Sequence, residues 1–346
     1  MEKKATSPNF EDIRPLNNDE VREAIDELVN NSELEEAFRY IKPDLDWPAF
    51  QQAMLTIQTK EEFKAKLAYE VVMLVAKGTT FSLTVSGRSR LPKGLEPCLF
   101  ISNHRDIVLD AAFLNVMLYD VGYGVTQVAI GDNLLLKPWI KTVVRLNNSF
   151  IVKRGLSGRQ QLESSIQLSR YIHHTLKETQ ESVWLAQREG RSKDSNDKTQ
   201  SSVLKMLNMG GSDKNILSNI MSLNIVPVAI SYEYDPCDFL KAQEFQLRRD
   251  NPDYIKSNRD DLLSMETGIL NNKGRVHFTL CHPINRVLKE VDPNLEKPEM
   301  YATIAAAIDK EIYSHYRFYP CNYIAYDMRT GTKRFSEMYS AKERAH

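Results

Sequence analysis

The sequence predicts an α/β fold: a mixed, mostly parallel sheet flanked by helices, with a helical N-terminal region. Two observations predict it. From about residue 79, short apolar runs alternate with longer stretches of helical spacing, the pattern of strands joined by helices. Before residue 79, apolar residues recur three and four apart. The chain has 346 residues, 42% of them hydrophobic, enough to bury a sizeable core.

Each element has its own signal. Asn18-Asp19-Glu20 opens a helix whose apolar face is Val21, Ile25 and Leu28, and Pro43 and Pro48 punctuate the stretch after it. A stronger helix is expected from about Lys60 to Ala76, with Phe63, Leu67, Val71, Leu74 and Val75 on one face and Gly78 as its stop. Strands are expected at Phe81–Val85, Leu99–Ile101, Val125–Ile130, Phe150–Val152, Val183–Ala186, Ile225–Ile230 and Val276–Leu280. Helices are expected between most of them, notably Ile107–Tyr119 and Gln160–Lys177. The chain thus divides into a helical region over 1–78, an α/β domain over 79–329, and a polar tail over 330–346 that is expected to fray.

Composition excludes several classes. A formal net charge of -1 argues against a nucleic-acid binder, whose footprint would be basic. Cys98, Cys237, Cys281 and Cys321 are widely spaced and form no CxxC pair, which suggests neither a zinc site nor a disulfide framework. With a polar Met1–Asp12 lacking an apolar leader core, this favours a cytoplasmic setting. The best candidate span, Ala111–Ile130, is interrupted by Asn115, Asp120, Gly122, Gly124 and Gln127, too many for a transmembrane helix.

Chemistry concentrates after the second strand, in Leu99-Phe-Ile-Ser-Asn-His-Arg-Asp-Ile-Val-Leu-Asp110. Here His104 stands at a strand tip ahead of a helix, with Asp106 and Asp110 close behind, where α/β folds place reacting groups. A neutral imidazole with a carboxylate partner is a general base suited to pH 7. The plainer reading is a turn cap. Three more pieces come later in the chain: Phe150-Ile-Val-Lys-Arg154, Glu189-Gly-Arg-Ser192 and Ile225-Val-Pro-Val228.

Together with Asn103-His104-Arg105, these resemble the four sequence blocks of the glycerolipid acyltransferases, over roughly residues 80 to 235. The resemblance implies that His104 removes the acceptor hydroxyl's proton and that an aspartate orients its ring. The family spacing is His-x4-Asp, whereas here the fifth residue after His104 is Leu109 and Asp110 comes one later. A regular helix would place a sixth residue about 240° away, so Asp110 needs an irregular turn to reach. Asp110 is favoured narrowly for the role over Asp106, and the loser is a carboxylate at a helix N-terminus.

Arg154 heads a glycine-bearing loop and would fork a phosphate, against the plainer reading of a solvated basic loop. Glu189-Gly190-Arg191 lacks one residue of the family's third block. Gly190 lets the backbone approach a ligand, Arg191 offers a second fork, and Glu189 would accept from the acceptor hydroxyl or an arginine. Lysines of the Lys193–Lys198 run would add to this anion site; the run lacks the spacing and final glutamate of a calcium loop, so no metal is expected. Pro227 suggests an edge strand or a bend that acts as wall.

His173-His174 is expected at a helix surface, and the tyrosines between Tyr313 and Tyr326 in core or seam packing. The resemblance implies acyl transfer from acyl-CoA or acyl carrier protein to glycerol-3-phosphate or a lysophospholipid such as 1-acylglycerol-3-phosphate, in phospholipid biosynthesis. No cofactor is implied beyond the thioester. The expected setting is peripheral, on the inner face of a membrane, contacted through the Lys60–Ala76 face and its lysines. Two other classes remain: a thioesterase or lipid hydrolase using the same His/Asp pair, made less attractive because no G-x-S-x-G occurs, and a non-catalytic lipid-binding protein.

Overall fold

The computed structural model describes residues 9–345, so most of the expectation for Met1–Asp12 lies outside the described residues. A single sheet carries the architecture. Its strands are β1 (Ser82–Ser86), β2 (Leu99–Ser102), β3 (Gln127–Gly131), β4 (Ser149–Val152), β5 (Val183–Ala186), β6 (Ile225–Tyr232) and β7 (Arg275–Leu280), in spatial order β1-β7-β6-β2-β5-β3-β4. Five strands from β6 to β4 run parallel; β7 is antiparallel to β6, and β1 is parallel to β7. The sheet is mixed and mostly parallel, as expected.

The two-residue period of the central strands explains why both faces are covered. Leu99 and Ile101 of β2 and Ile225 and Ala229 of β6 point into one core, shared with the helices Gly158–Lys177 and Lys297–Ser314. Phe100 of β2 and Val226, Val228 and Ile230 of β6 point into the other, shared with the helix Leu109–Asp120. Strands buried on both faces read as continuous apolar runs, which is why the sequence shows them.

Pro227 is not on an edge strand. β6 lies between β7 and β2, and the proline is tolerated because the β6–β7 pairs start one residue later, at Val228↔Leu280. Its carbonyl still accepts from the Cys281 N–H at 2.9 Å.

The N-terminal helices Val21–Val29, Ser32–Ile41 and Trp47–Leu55 build a third core. The Lys60–Thr79 stretch runs on from α-helix through a π-helical turn at Lys64–Ala68 into Tyr69–Thr79. The face expected to meet a membrane is mostly covered: Phe63 and Leu67 pack into the third core beside Leu146, and Val75 against the sheet, while Leu74 stays exposed. Three of the four lysines expected there, Lys60, Lys64, Lys66 and Lys77, have partners, Lys60 on Asn148, Lys64 on Glu61 and Lys66 on Glu62, and Lys77 is exposed. Ahead of these helices, the Ile13 carbonyl accepts from Ile151 N–H and covers the free edge of β4.

Two further expectations are corrected. His173 is buried, its Nε2 2.9 Å from the Leu207 carbonyl, while His174 stacks on Phe10. The C-terminal stretch folds back instead of fraying: Asp327 accepts from Phe335 N–H, Thr332 and Tyr339, and Phe335 packs against Tyr323 and Tyr326. Among the described residues, no helix is long and apolar enough to cross a membrane.

Candidate active site

The parallel strands all end on one side, and the loops after β2, β4 and β5 carry the residues singled out by the sequence. The β2 loop is anchored first. Buried Asn103 donates through Nδ2 to the Ile230 carbonyl (2.9 Å) and accepts at Oδ1 from Ile230 N–H (2.8 Å). This two-bond clamp extends the β2–β6 ladder by a side chain and fixes where His104 emerges. Across the other seam, Trp184 Nε1 donates to Ser102 Oγ at 3.0 Å, and its indole meets the His104 ring edge-on.

The helix after β2 starts at Leu109, so residues 103–108 form the irregular turn that the spacing requires. Asp110, in the first helical turn, points back. Its Oδ2 lies 2.9 Å from His104 Nδ1 and also accepts from the N–H groups of Arg105 (2.6 Å) and Asp106 (3.0 Å). A carboxylate oxygen taking two backbone donors accepts from the ring as well, which places the ring proton on Nδ1 and the lone pair on Nε2. Asp106 does not reach the ring. Its Oδ1 accepts from Val108 N–H (2.9 Å) and Leu109 N–H (2.8 Å), capping the helix. Burial, reinforced by the Asp110 charge, pushes its carboxyl above the usual range.

The β5 loop brings Glu189, Gly190 and Arg191. Gly190 has φ +66°, with open space where a Cβ would stand, so backbone conformation is what calls for glycine. Arg191 is 6% exposed, and its Nη1 is buried with no hydrogen-bond partner. The β4 loop brings Arg154 to the surface, where it pairs with Glu189. Lys193 is spent on Glu244 at 3.0 Å, so it does not stand free for an anion.

Sequence reasoning misses the partners that surround these loops. Arg105 Nη2 pairs with buried Asp197 at 2.7 Å, and Tyr316 donates to the same Asp197 oxygen at 3.0 Å. Tyr313 donates to the Asp197 carbonyl at 2.7 Å, so two of the C-terminal tyrosines serve this site and not only a packing seam. Lys241 donates to the Arg105 carbonyl and pairs with Asp235. Gly268 lies against Asp106, where a Cβ would sit 2.0 Å from Oδ2. The helix Asn258–Leu270 therefore closes over this end of the sheet. No spacing signal links these residues, because they come from the loop after β5, from the insert between β6 and β7 and from the chain after β7.

The region is also rich in buried polar atoms without partners: Asp106 Oδ2, Asp110 Oδ1, Gln187 Nε2 and Oε1, Arg191 Nη1, Asp197 Oδ1 and Tyr232 Oη. Burial and the carboxylates of Asp110 and Asp106 hold the Tyr232 phenol well above its ordinary range, so it remains a donor. Unsatisfied groups at this density mark a place for ligand or water.

Residues 82–231, from β1 to the end of β6, match the family model described as Acyltransferase. That part of the chain is similar to the acyltransferase family. The His104 block, the Arg154 block, the Glu189–Ser192 block and the β6 block all fall inside that span. A solved structure, the 1-acyl-sn-glycerophosphate (LPA) acyltransferase PlsC from Thermotoga maritima, is similar at 14% identity with a TM-score of 0.40, covering 86% of this chain and 95% of that one. No curated protein matches the chain.

Proposed function

We propose that this protein is an acyltransferase that moves a fatty acyl group from acyl-CoA or acyl carrier protein to a hydroxyl of glycerol-3-phosphate or of a lysophospholipid such as 1-acylglycerol-3-phosphate, in phospholipid biosynthesis. The observation that carries the reading is the 2.9 Å contact between His104 Nδ1 and Asp110 Oδ2 at the tip of β2. His104 Nε2 takes the hydroxyl proton as the oxygen attacks the thioester carbonyl. The tetrahedral intermediate collapses, the C–S bond breaks, and the imidazolium returns its proton to the departing thiolate. Asp110 holds the ring and stabilises its charged form. No covalent acyl-enzyme and no cofactor beyond the thioester enter.

Arg191 supports an anionic acceptor. Arg105, Arg154, Lys193 and Lys241 have carboxylate partners in Asp197, Glu189, Glu244 and Asp235, and Arg191 shares in none of these pairs. A buried guanidinium without a counter-ion is costly, and a substrate phosphate would supply one. Arg154 would reach the same phosphate by exchanging Glu189 for it. Glycerolipid acceptors reside in bilayers, so the reading includes reversible attachment to the inner, cytoplasmic face of a membrane. A panel of acceptors with isotopically labelled acyl-CoA and acyl carrier protein, read by lipid mass spectrometry, tests the proposal. Labelled 1-acylglycerol-3-phosphate or phosphatidate supports it; thioester loss at the same rate with and without acceptor points to hydrolysis instead.

A further inference from the structure

A thiol, two imidazoles and a carboxylate converge away from the His104 site. Cys281 and His282 come directly after β7, and Glu311 and His315 stand one turn apart at the end of the helix Lys297–Ser314. One ligand atom each of Cys281, Glu311 and His315 lies within 4.8 Å of the others. His282 Nδ1 is 3.5 Å from Glu311 Oε2, and its ring centroid is 6.2 Å from that of His315. Cys281, Glu311 and His315 thus face one point from two segments of the chain, and His282 stands beside it against Glu311.

We propose that Cys281, His282, Glu311 and His315 bind a zinc-class divalent cation. The donor set is one sulfur, two ring nitrogens and one carboxylate oxygen, which suits a borderline-soft ion in four-coordinate geometry. Bonds of about 2.0–2.3 Å bring tetrahedral ligand atoms to roughly 3.3–3.8 Å from one another, so the cluster closes by about an ångström. The means are at hand. Glu311 and His315 lie i and i+4 on one helical face; His315 Nδ1 is 3.7 Å from Glu311 Oε2 and 2.7 Å from the Glu311 carbonyl, a bond that orients the ring and would leave the Nε2 lone pair to an ion. Cys281 Sγ has only long contacts, 3.5 Å to the Thr279 carbonyl and 3.6 Å to that of Glu311. On binding, the thiol proton passes to solvent and the thiolate becomes the ligand.

The site explains why cysteine spacing alone suggests no zinc. The ligands come as Cys281-His282 and Glu311-x3-His315, with no CxxC between them. Its placement gives it a consequence. Tyr313 and Tyr316, which hold Asp197 against Arg105, flank His315, and the His315 carbonyl accepts from Thr279 Oγ1 of β7 at 3.4 Å. An ion here pins that helix end to the sheet. The role is structural, and the inference stands apart from the acyl-transfer reading.

The full chain is stripped with chelator, titrated with zinc chloride by calorimetry, and separately loaded with Co²⁺ for absorption spectroscopy. The expected result is one equivalent of zinc, with a tetrahedral Co²⁺ spectrum that includes thiolate-to-metal charge transfer. Cys281→Ala should abolish the charge-transfer band, and His315→Ala should weaken zinc at least about ten-fold. His282→Ala, at the exposed edge of the cluster, should also weaken zinc, and it serves if substitution of the buried cysteine prevents folding. Absence of stoichiometric zinc in the wild type, or equal binding by wild type and by the His282 and His315 variants, overturns the proposal.

Discussion

Asp110 lies six residues after His104, yet its Oδ2 sits 2.9 Å from the imidazole Nδ1 and gathers two backbone N–H groups besides. The delayed helix start makes this possible. Asp110→Asn should lower kcat by about 10²–10⁴-fold with little change in KM, since an amide nitrogen facing Nδ1 favours the wrong tautomer. Steady-state kinetics check it.

Asp106→Asn should leave most of the turnover, because Asp106 touches backbone N–H groups and not the ring. Asp106→Ala removes the cap and should cost about 0.5–2 kcal/mol of stability. Denaturant titration beside kinetics separates the two effects, and a large fall in kcat for Asp106→Asn would assign it the orienting role.

Arg191→Met should raise the acceptor KM by about 10–100-fold, the equivalent of a charge-assisted contact of roughly 1.5–3 kcal/mol. Without substrate the same variant should lose little stability, because Arg191 is buried in no ion pair and the opposite charge that acts on it from nearby is that of Asp106. Arg154→Ala, at the surface and paired with Glu189, should affect KM less. Equal effects on donor and acceptor KM would place Arg191 at the phosphates of the donor.

Asn103→Ala should destabilise the fold by about 1–3 kcal/mol, since it leaves both polar groups of Ile230 without their partner. Activity should fall beyond the loss of folded protein, because the clamp sets the position of His104. Urea denaturation with activity measured well below the midpoint distinguishes these contributions.

His277 makes stability depend on pH. Its ring is held between Thr84 Oγ1 (2.7 Å) and Ser86 Oγ (2.9 Å), and burial, aided by the Arg317 charge, pushes it down to about 4. The unfolded ring titrates near 6.5. The unfolded state therefore binds the proton first, and this contribution is fully present above pH 6.5 and is lost as pH falls towards 4. The loss should amount to about 2–3 kcal/mol by pH 4. Urea midpoints for wild type and His277→Gln between pH 7 and 4.5 should converge as pH falls; parallel curves would contradict it.

How much is legible in the sequence depends on which interactions are local. Every strand can be read from it: central strands such as β2 and β6, buried on both faces, are continuous apolar runs, and the half-buried edge strand β1 alternates. His104 with its carboxylate can be read because six residues span the turn. Choosing Asp110 over Asp106 needs the helix start, which sequence places only to within a few residues. Asn103, Asp197, Tyr316 and Tyr232 escape because their partners lie far along the chain, as with Asn103 on Ile230. Pro227 misleads, since what matters is where the β7 pairing begins and not the proline itself.

If His104 is the base for acyl transfer, turnover depends on its imidazole. The most direct test is single-variant turnover: His104→Ala with saturating labelled acyl thioester and a glycerolipid acceptor, product counted by mass spectrometry, and fold checked by circular dichroism. The variant should keep the wild-type spectrum while its turnover falls by about 10²–10⁴-fold. A folded variant that turns over near the wild-type rate would contradict it.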